Sequence, residues 1–311
     1  MPSPTEGRRV PAILCAGTAV IDEIFRVGRF PTPEEKVHAT AFLTLGGGCA
    51  ANAAVTITRL GGRARLAAPL GGPAGADSIG DRILDGLARE GVDCRGIVRM
   101  PGMGSPISGI CVDDAGERTI VTYRDDRITE ASVSDPSSLV ADVDAVLADN
   151  RYPDFALPIC REAHRRGIPV VIDGDKAARE KDTLLANASH VIFSAEALRE
   201  TVGMHDLAAA LKLLAARINV FLAVTEGANG VLWFEAGAAR RMPAFRVQAV
   251  DTLAAGDVFH GAFALALTEG QSPVAALRFA AATAALKCTR FGGIGGAPTR
   301  PEVDAFLQER G

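Results

Sequence analysis

The sequence predicts an α/β protein, in which a mostly parallel central sheet is covered on both faces and a small, separate β-sheet lies alongside. Three observations predict it. After residue 130, short apolar stretches alternate with helical ones, the rhythm of a parallel sheet between helix layers. Hydrophobic residues make up 48% of the 311 and aromatics only 5%, so a large core is available and small residues suit close helix-on-sheet packing. Two separated segments, 18–45 and 104–128, instead mix apolar and polar residues as strands of a partly exposed sheet do.

Element by element, residues 1–10 are polar and proline-containing and read as a frayed start. Residues 11–16 (PAILCA) form a first buried strand. The stretches 20–27 and 39–45 are strands of the small sheet, separated by a break at Pro31 and Pro33. A glycine run at 46–48 leads into a helix over 50–60, and 64–69 is strand-like. Residues 78–90 are helical, with Ile79, Ile83, Leu84 and Leu87 on one face. Residues 106–113 and 117–123 form a hairpin around Asp114–Gly116. Strands over 144–148, 169–173, 190–193 and 219–224 then alternate with helices near 153–166, 178–186, 195–202 and 206–217. A hairpin-like stretch at 230–247 precedes helices at 255–269, 273–289 and 301–309.

Composition excludes several function classes. The formal charge is −4 and no basic stripe offers a surface for nucleic acid or an anionic membrane. None of the six cysteines forms a CxxC pair, and no Cys/His cluster has zinc spacing, so free thiols in a reducing compartment are expected. The first residues lack a signal-peptide pattern, and no apolar run approaches the roughly 18 residues of a membrane helix. A cytoplasmic protein is expected.

Two motifs carry chemistry. In Asp251-Thr252-Leu253-Ala254-Ala255-Gly256-Asp257, small residues let the chain turn tightly into the helix VFHGAFALAL. Backbone N–H groups at such a start have no intrahelical acceptor and, with the helix dipole, favour an anion. A carboxylate in that first turn, Asp257, can take the proton of an attacking hydroxyl while the amides stabilise a transferring phosphoryl group. An ordinary helix start with a favourable first-turn acid fits these residues equally. In Gly46-Gly47-Gly48-Cys49-Ala50-Ala51-Asn52, the glycines allow close approach of a ligand, and Asn52 offers the donor and acceptor that sugar hydroxyls need. By itself this is also a plain strand-to-helix turn. No Gly-Lys-Ser/Thr follows it, which excludes a Walker A loop, and the first strand does not lead into GxGxxG.

GGGCAANAA at 46–54, with Gly61 and Gly71 downstream, and DTLAAGDVFHGAFA at 251–264 resemble the N- and C-terminal signatures of the ribokinase-like (PfkB) carbohydrate kinases. The resemblance runs from Ala12 to Leu307. It implies one ribokinase-like three-layer sandwich over 1–311, with a β lid from 18–45 and 104–128. It also implies ATP-dependent transfer of the γ-phosphate to a hydroxyl of a small carbohydrate, assisted by Mg²⁺. The family's catalytic base falls on Asp257 and its anion hole on the amides of Ala254, Ala255 and Gly256; position 254 is more often glycine in the family. The sugar-binding acid falls on Asp22, and the sugar-facing glycines and asparagine on Gly47, Gly48 and Asn52. The nucleotide loop resembles Thr225–Gly230, with Gly227 and Gly230 lying close to nucleotide, and the adenine wall resembles 281–287, Ala285 included, followed by Gly292 and Gly293. A monovalent cation such as K⁺ would be held by oxygens around Asp251 and Leu253. Family members are frequently dimeric, so a homodimer through the lid is expected.

Ser194 and Ala197 stand where many members carry the Asn and Glu of an Asn-x-x-Glu motif, leaving Mg²⁺ to phosphates and waters with help from Asp173 or Asp175. The stretches VIDGD, PAFRVQAVDTLAAGDVFHGA and AALKCTR resemble the 6-deoxy-6-sulfofructose kinases, although Thr122 and Arg124 depart from that subgroup. Lys36 on the lid and Arg151 after the strand AVLADN match basic positions there, and two converging cations would suit a phospho- or sulfo-sugar, a ketose or related sugar in that subgroup's manner. His260, one turn after Asp257, reads as a helix-packing residue, and Arg240-Arg241 as a solvated edge. Two other readings remain open. One is a nucleoside or other alcohol kinase of the same fold, which the few aromatics disfavour. The other is a non-catalytic sugar- or nucleotide-binding regulator.

Overall fold

The computed structural model describes residues 9–178 and 183–310. The chain opens with β1 (Ala12–Ala16), β2 (Val20–Arg26) and β3 (Ala41–Gly47), then α1 (Cys49–Arg59), β4 (Arg63–Ala67) and β5 (Pro69–Gly72). Next come α2 (Ser78–Arg89), β6 (Val98–Pro101), and the hairpin of β7 (Ile107–Val112) and β8 (Arg118–Tyr123). An alternating run follows: α3 (Pro136–Leu139), β9 (Ala145–Asp149), α4 (Pro153–Arg165), β10 (Val170–Gly174), β11 (His190–Ser194), α5 (Ala195–Val202), α6 (Leu207–Ala215) and β12 (Phe221–Thr225). The antiparallel pair β13 (Val231–Glu235) and β14 (Ala238–Met242) precedes α7 (Ala255–Thr268), α8 (Pro273–Cys288) and α9 (Arg300–Glu309).

The expected α/β architecture is present. The main sheet has the order β14-β13-β12-β11-β10-β9-β1-β4 and is parallel from β12 to β4. Its central strands β1, β9 and β10 are buried on both faces. Along β1, Ile13 and Cys15 enter one core with residues of α1, α7, α8 and α9, while Leu14 and Ala16 enter the other with residues of α4, α5 and α6. A strand buried on both sides cannot alternate apolar with polar, which is why its sequence reads as a continuous run.

The segments 18–45 and 104–128 supply a second sheet of order β3-β2-β7-β8. Its inner face contributes Ile24, Ile110 and Val112 to a small third cluster, against which Leu43, Leu45, Leu253 and Phe291 pack. Every residue of β8 is exposed. The small sheet is tied to the loop before α7 through Leu253 and through Arg118, whose guanidinium donates to Thr252 Oγ1 at 2.7 Å.

Three elements differ from expectation. A two-stranded parallel sheet of β5 and β6 and the one-turn α3 are additions. Both are short and stabilised by distant partners, so neither leaves a periodic signature. Of the helix expected near 178–186, the described residues show a 3₁₀ turn at Leu185–Asn187; residues 179–182 lie outside the described residues, as do residues 1–8 of the expected frayed start.

Candidate active site

Two helix N-termini meet beside the C-terminal ends of β1, β9 and β10. The first belongs to α1. Gly48 enters it at φ 93°, and an added Cβ would stand 2.6 Å from the Thr18 carbonyl oxygen, so glycine is required. The first N–H groups of α1 are consumed within the protein. Cys49 N–H donates to Thr18 Oγ1 at 2.9 Å, Ala50 N–H to Asp149 Oδ2 at 3.2 Å, and Ala51 N–H to the Thr18 carbonyl at 3.1 Å. Asp149 also accepts the Thr18 N–H and hydroxyl, at 2.7 and 2.8 Å. Burial pushes its carboxyl up from the ordinary range, and these donors oppose the shift. This terminus thus carries its own anion, and the network stiffens the turn that presents Asn52.

The second terminus belongs to α7, and among the described residues no side-chain carboxylate accepts from its first N–H groups. Ala254 enters it in the left-handed region, φ 63° and ψ 9°, which costs a non-glycine residue about 1–2 kcal/mol. Of the expected anion-hole amides, Ala255 N–H turns back to the Thr252 carbonyl at 3.3 Å. Among the described residues, no protein acceptor meets the N–H of Gly256 or of Asp257, and Gly256 is exposed. Asp257 is half-buried and faces Asn52, whose Nδ2 donates to Asp257 Oδ2 at 2.7 Å. The structure therefore joins the two sequence motifs at one carboxylate.

Asp22 lies buried on β2, in register with Leu45 of β3 and Ser108 of β7. Burial raises its carboxyl to about 6; a hydrogen bond from Ser108 opposes this, and the charge of Asp257 adds to it. An added Cβ on Gly47 would fall 2.1 Å from Asp22 Oδ2, so Gly47 makes room for that carboxylate. Asp173, at the end of β10, is also buried. Its carboxyl rises to about 7, chiefly from burial, with His260 opposing and Asp257 among the acids that add to it. Among the described residues, Cys49, Asp173 and Asp257 bring one sulfur and two carboxylate oxygens within 4.8 Å of one another.

His260 is 3% exposed, with Nδ1 2.8 Å from the Gly256 carbonyl and 3.5 Å from Asp173 Oδ2, and Nε2 3.2 Å from the Ile192 carbonyl. It pins the first turn of α7 to β10 and β11. Ser194 is the N-cap of α5, its hydroxyl accepting the Ala197 N–H at 3.2 Å.

On the expected nucleotide side, Thr225 ends β12 and a 3₁₀ turn spans Gly227–Asn229. Gly227 has φ 53° with open space around an added Cβ. At Gly230, φ 93°, a Cβ would meet the Met242 carbonyl oxygen at 2.1 Å, so its packing against β14 already requires glycine. Ala285 is half-buried on α8. Arg240 and Arg241 are exposed on the edge strand β14, where Arg241 pairs with Glu226 at 3.0 Å.

Two of the expected sites have protein partners in the structure. Asp251 and Leu253 do not form an open cation site, because the oxygens of Asp251 are met by protein donors. Leu253 N–H reaches Oδ1 at 2.8 Å, Gly292 and Gly293 N–H reach Oδ2 at 3.0 and 2.9 Å, and Lys287 Nζ lies 2.8 Å from the carbonyl oxygen. Arg151 is not an unpaired cation, since its guanidinium is bound to Asp175 and its N–H donates to Asp149 Oδ1 at 3.1 Å. Lys36 is exposed in the connection between β2 and β3. Thr18 and Asp149 escaped the sequence reading, as did the pairing of Lys287, at the end of the expected adenine wall, with Asp251. Their partners lie far along the chain, and only the acid ending the strand AVLAD hinted at one of them.

The pfkB family carbohydrate kinase model matches residues 11–300. A ribokinase of Bacillus subtilis is 31% identical over 298 residues, covering 95% of this chain and 99% of the relative. An ATP-dependent ribose-1-phosphate kinase of Halopiger xanaduensis is 31% identical over 310 residues, covering 96% and 98%. Among solved structures, a provisionally assigned ribokinase from Agrobacterium tumefaciens superposes with a TM-score of 0.91 at 41% identity, covering 97% of this chain and 99% of that one.

Proposed function

Because the chain belongs to the pfkB family of carbohydrate kinases, we propose that it transfers the γ-phosphate of ATP to a hydroxyl of a small sugar at the meeting point of α1 and α7. The observation that carries this reading is the contact of Asn52 with Asp257 beside amides that have no protein acceptor. Asp257 removes the proton of the attacking hydroxyl. Asn52 holds that carboxylate in line, and the Gly256 and Asp257 amides stabilise charge on the phosphoryl group. Asp22, Gly47, Gly48 and Asn52 bind the sugar, and the four-stranded sheet closes over it as a lid that excludes water. Thr225, Gly227, Gly230 and Ala285 line the nucleotide.

Asp173, whose carboxylate lies within 4.8 Å of Asp257, offers an oxygen that would suit Mg²⁺, which neutralises phosphate charge when bound. Cys49 is too soft a ligand for that ion, and Ser194 is committed to capping α5.

The sugar we infer is ribose or a close relative, since a ribokinase is among the 31%-identical relatives. An anionic sugar is a second reading, favoured by Arg151 and Lys36 and by the ribose-1-phosphate kinase relative; its anion must displace Asp175 from Arg151. The outer face of the lid sheet exposes Phe42, Val121 and Tyr123, apolar surface that suits a homodimer through that face.

The test is ADP release, measured with an auxiliary enzyme couple, across ribose, fructose, ribose 1-phosphate, 6-deoxy-6-sulfofructose and nucleosides. Saturable turnover with one sugar class supports the proposal. Turnover with nucleosides alone, or nucleotide binding without turnover on any acceptor, contradicts it.

A further inference from the structure

Lys287 lies in the last turn of α8, and its side chain is completely buried. A buried ammonium loses its hydration, a large cost unless fixed oxygens replace the water. Asp251 supplies them: its carbonyl oxygen lies 2.8 Å from Nζ and its Oδ2 3.2 Å from it. The other acceptor positions of that carboxylate are filled by the N–H groups of Leu253, Gly292 and Gly293. Three stretches of chain therefore converge on one residue: the loop that opens α7, the end of α8, and the turn that follows it. Burial of the ammonium is compatible with charge only because this carboxylate faces it. Conversely, these donors hold the Asp251 carboxyl below the usual carboxylate range despite its burial.

A K⁺ ion bound inside a protein needs a shell of carbonyl or carboxylate oxygens in place of its water. The resemblance to the family places such an ion at the oxygens around Asp251 and Leu253, and here two oxygens of Asp251 already face an ammonium. A second cation in contact with them would meet a like charge at close range in a poorly screened interior. The residues present do not fit an exchangeable ion.

We propose that the Lys287 ammonium takes the place of a monovalent cation, so that a covalently attached charge holds the loop carrying Leu253–Asp257 and catalysis is independent of K⁺. The activity arm of the test rests on the kinase reading above, whereas the stability arm does not.

Both arms compare the full-length wild-type chain, Lys287→Met, and Lys287→Met combined with Asp251→Asn, in KCl, NaCl and tetramethylammonium chloride at equal ionic strength. Wild type is expected to unfold at the same midpoint, within about 1 °C, and to turn over at the same rate in all three salts. Lys287→Met leaves the carboxylate with an opening the size of a cation. Its midpoint is expected to fall in tetramethylammonium and recover in KCl, with a several-fold rise in rate. The double variant, with no buried charge to pair, is expected to show no recovery. A wild-type midpoint or rate that climbs several-fold or by several degrees with K⁺ overturns the proposal, and so does a Lys287→Met variant indifferent to K⁺. If no sugar is turned over, the kinase reading fails and the midpoints alone still decide this one.

Discussion

Asn52 and Asp257 are separated by 205 positions in the sequence, yet Nδ2 of the first donates to Oδ2 of the second at 2.7 Å. One stands in the first turn of α1 and the other in the first turn of α7. Each helix is positioned by its own loop chemistry, so the contact brings together two independently specified N-termini.

Changing the donor to an acceptor tests what this contact does. Asn52→Asp puts a second carboxylate against the first, and two like charges at that distance cannot both ionise freely. The acid limb of the kcat profile is expected to move to higher pH, with kcat at pH 7 falling by about 10–100-fold. A pH–rate profile superimposable on wild type contradicts the assignment.

Asp22 gives a pH dependence of stability with a definite sign. Its folded-state value, about 6, lies above the ordinary 3.8. Between those values the folded chain keeps a proton that the unfolded chain has released, so stability falls as pH rises through this window. Above it both states are ionised and the full cost, ~3 kcal/mol, is present. Asp22→Asn is expected to remove that slope and to be the more stable protein at pH 7.5, as read from urea midpoints. Sugar binding runs the other way: an ionised Asp22 accepts hydroxyl protons, so wild-type KM for sugar is expected to rise below pH 6.

Gly47 is needed for the space it leaves. Its added Cβ would come within 2.1 Å of Asp22 Oδ2, so Gly47→Ala must displace the carboxylate. Sugar KM is expected to rise at least about tenfold while KM for ATP stays within about twofold. Equal changes in both constants point to general misfolding and contradict a sugar-side role.

Ala254 bears the strain that glycine would avoid. Alanine-to-glycine changes ordinarily destabilise by about 0.5–1 kcal/mol through chain entropy. At φ 63° the relief of a clash costing about 1–2 kcal/mol outweighs that loss. Ala254→Gly is expected to leave stability unchanged or raise it by up to about 1 kcal/mol, measured by denaturant unfolding.

The legible parts of this molecule are the local ones. A run of small residues before a helix is chemistry within one turn, so both N-termini and Asn52 and Asp257 could be read from short motifs. Parallel strands announced themselves because burial on two faces makes them apolar throughout. The support beneath the site was not legible. Asp149 caps α1 from 99 positions away, and Lys287 reaches Asp251 across 36 positions from a helix whose pattern suggested a ligand wall. Nor does a sequence reveal that Arg151 is already bound to Asp175, or that Gly230 serves the packing of β14. Such pairings are set by topology, and residue type alone leaves them open.

The central claim is that Asp257 takes the proton from the sugar hydroxyl, and the most direct measurement is turnover of Asp257→Asn with its best sugar alongside nucleotide binding by calorimetry. The amide keeps the shape and the contact with α1 but is no base. A fall in kcat of about 10²–10⁴-fold with nucleotide affinity unchanged is the predicted result. Turnover within a few-fold of wild type would contradict it.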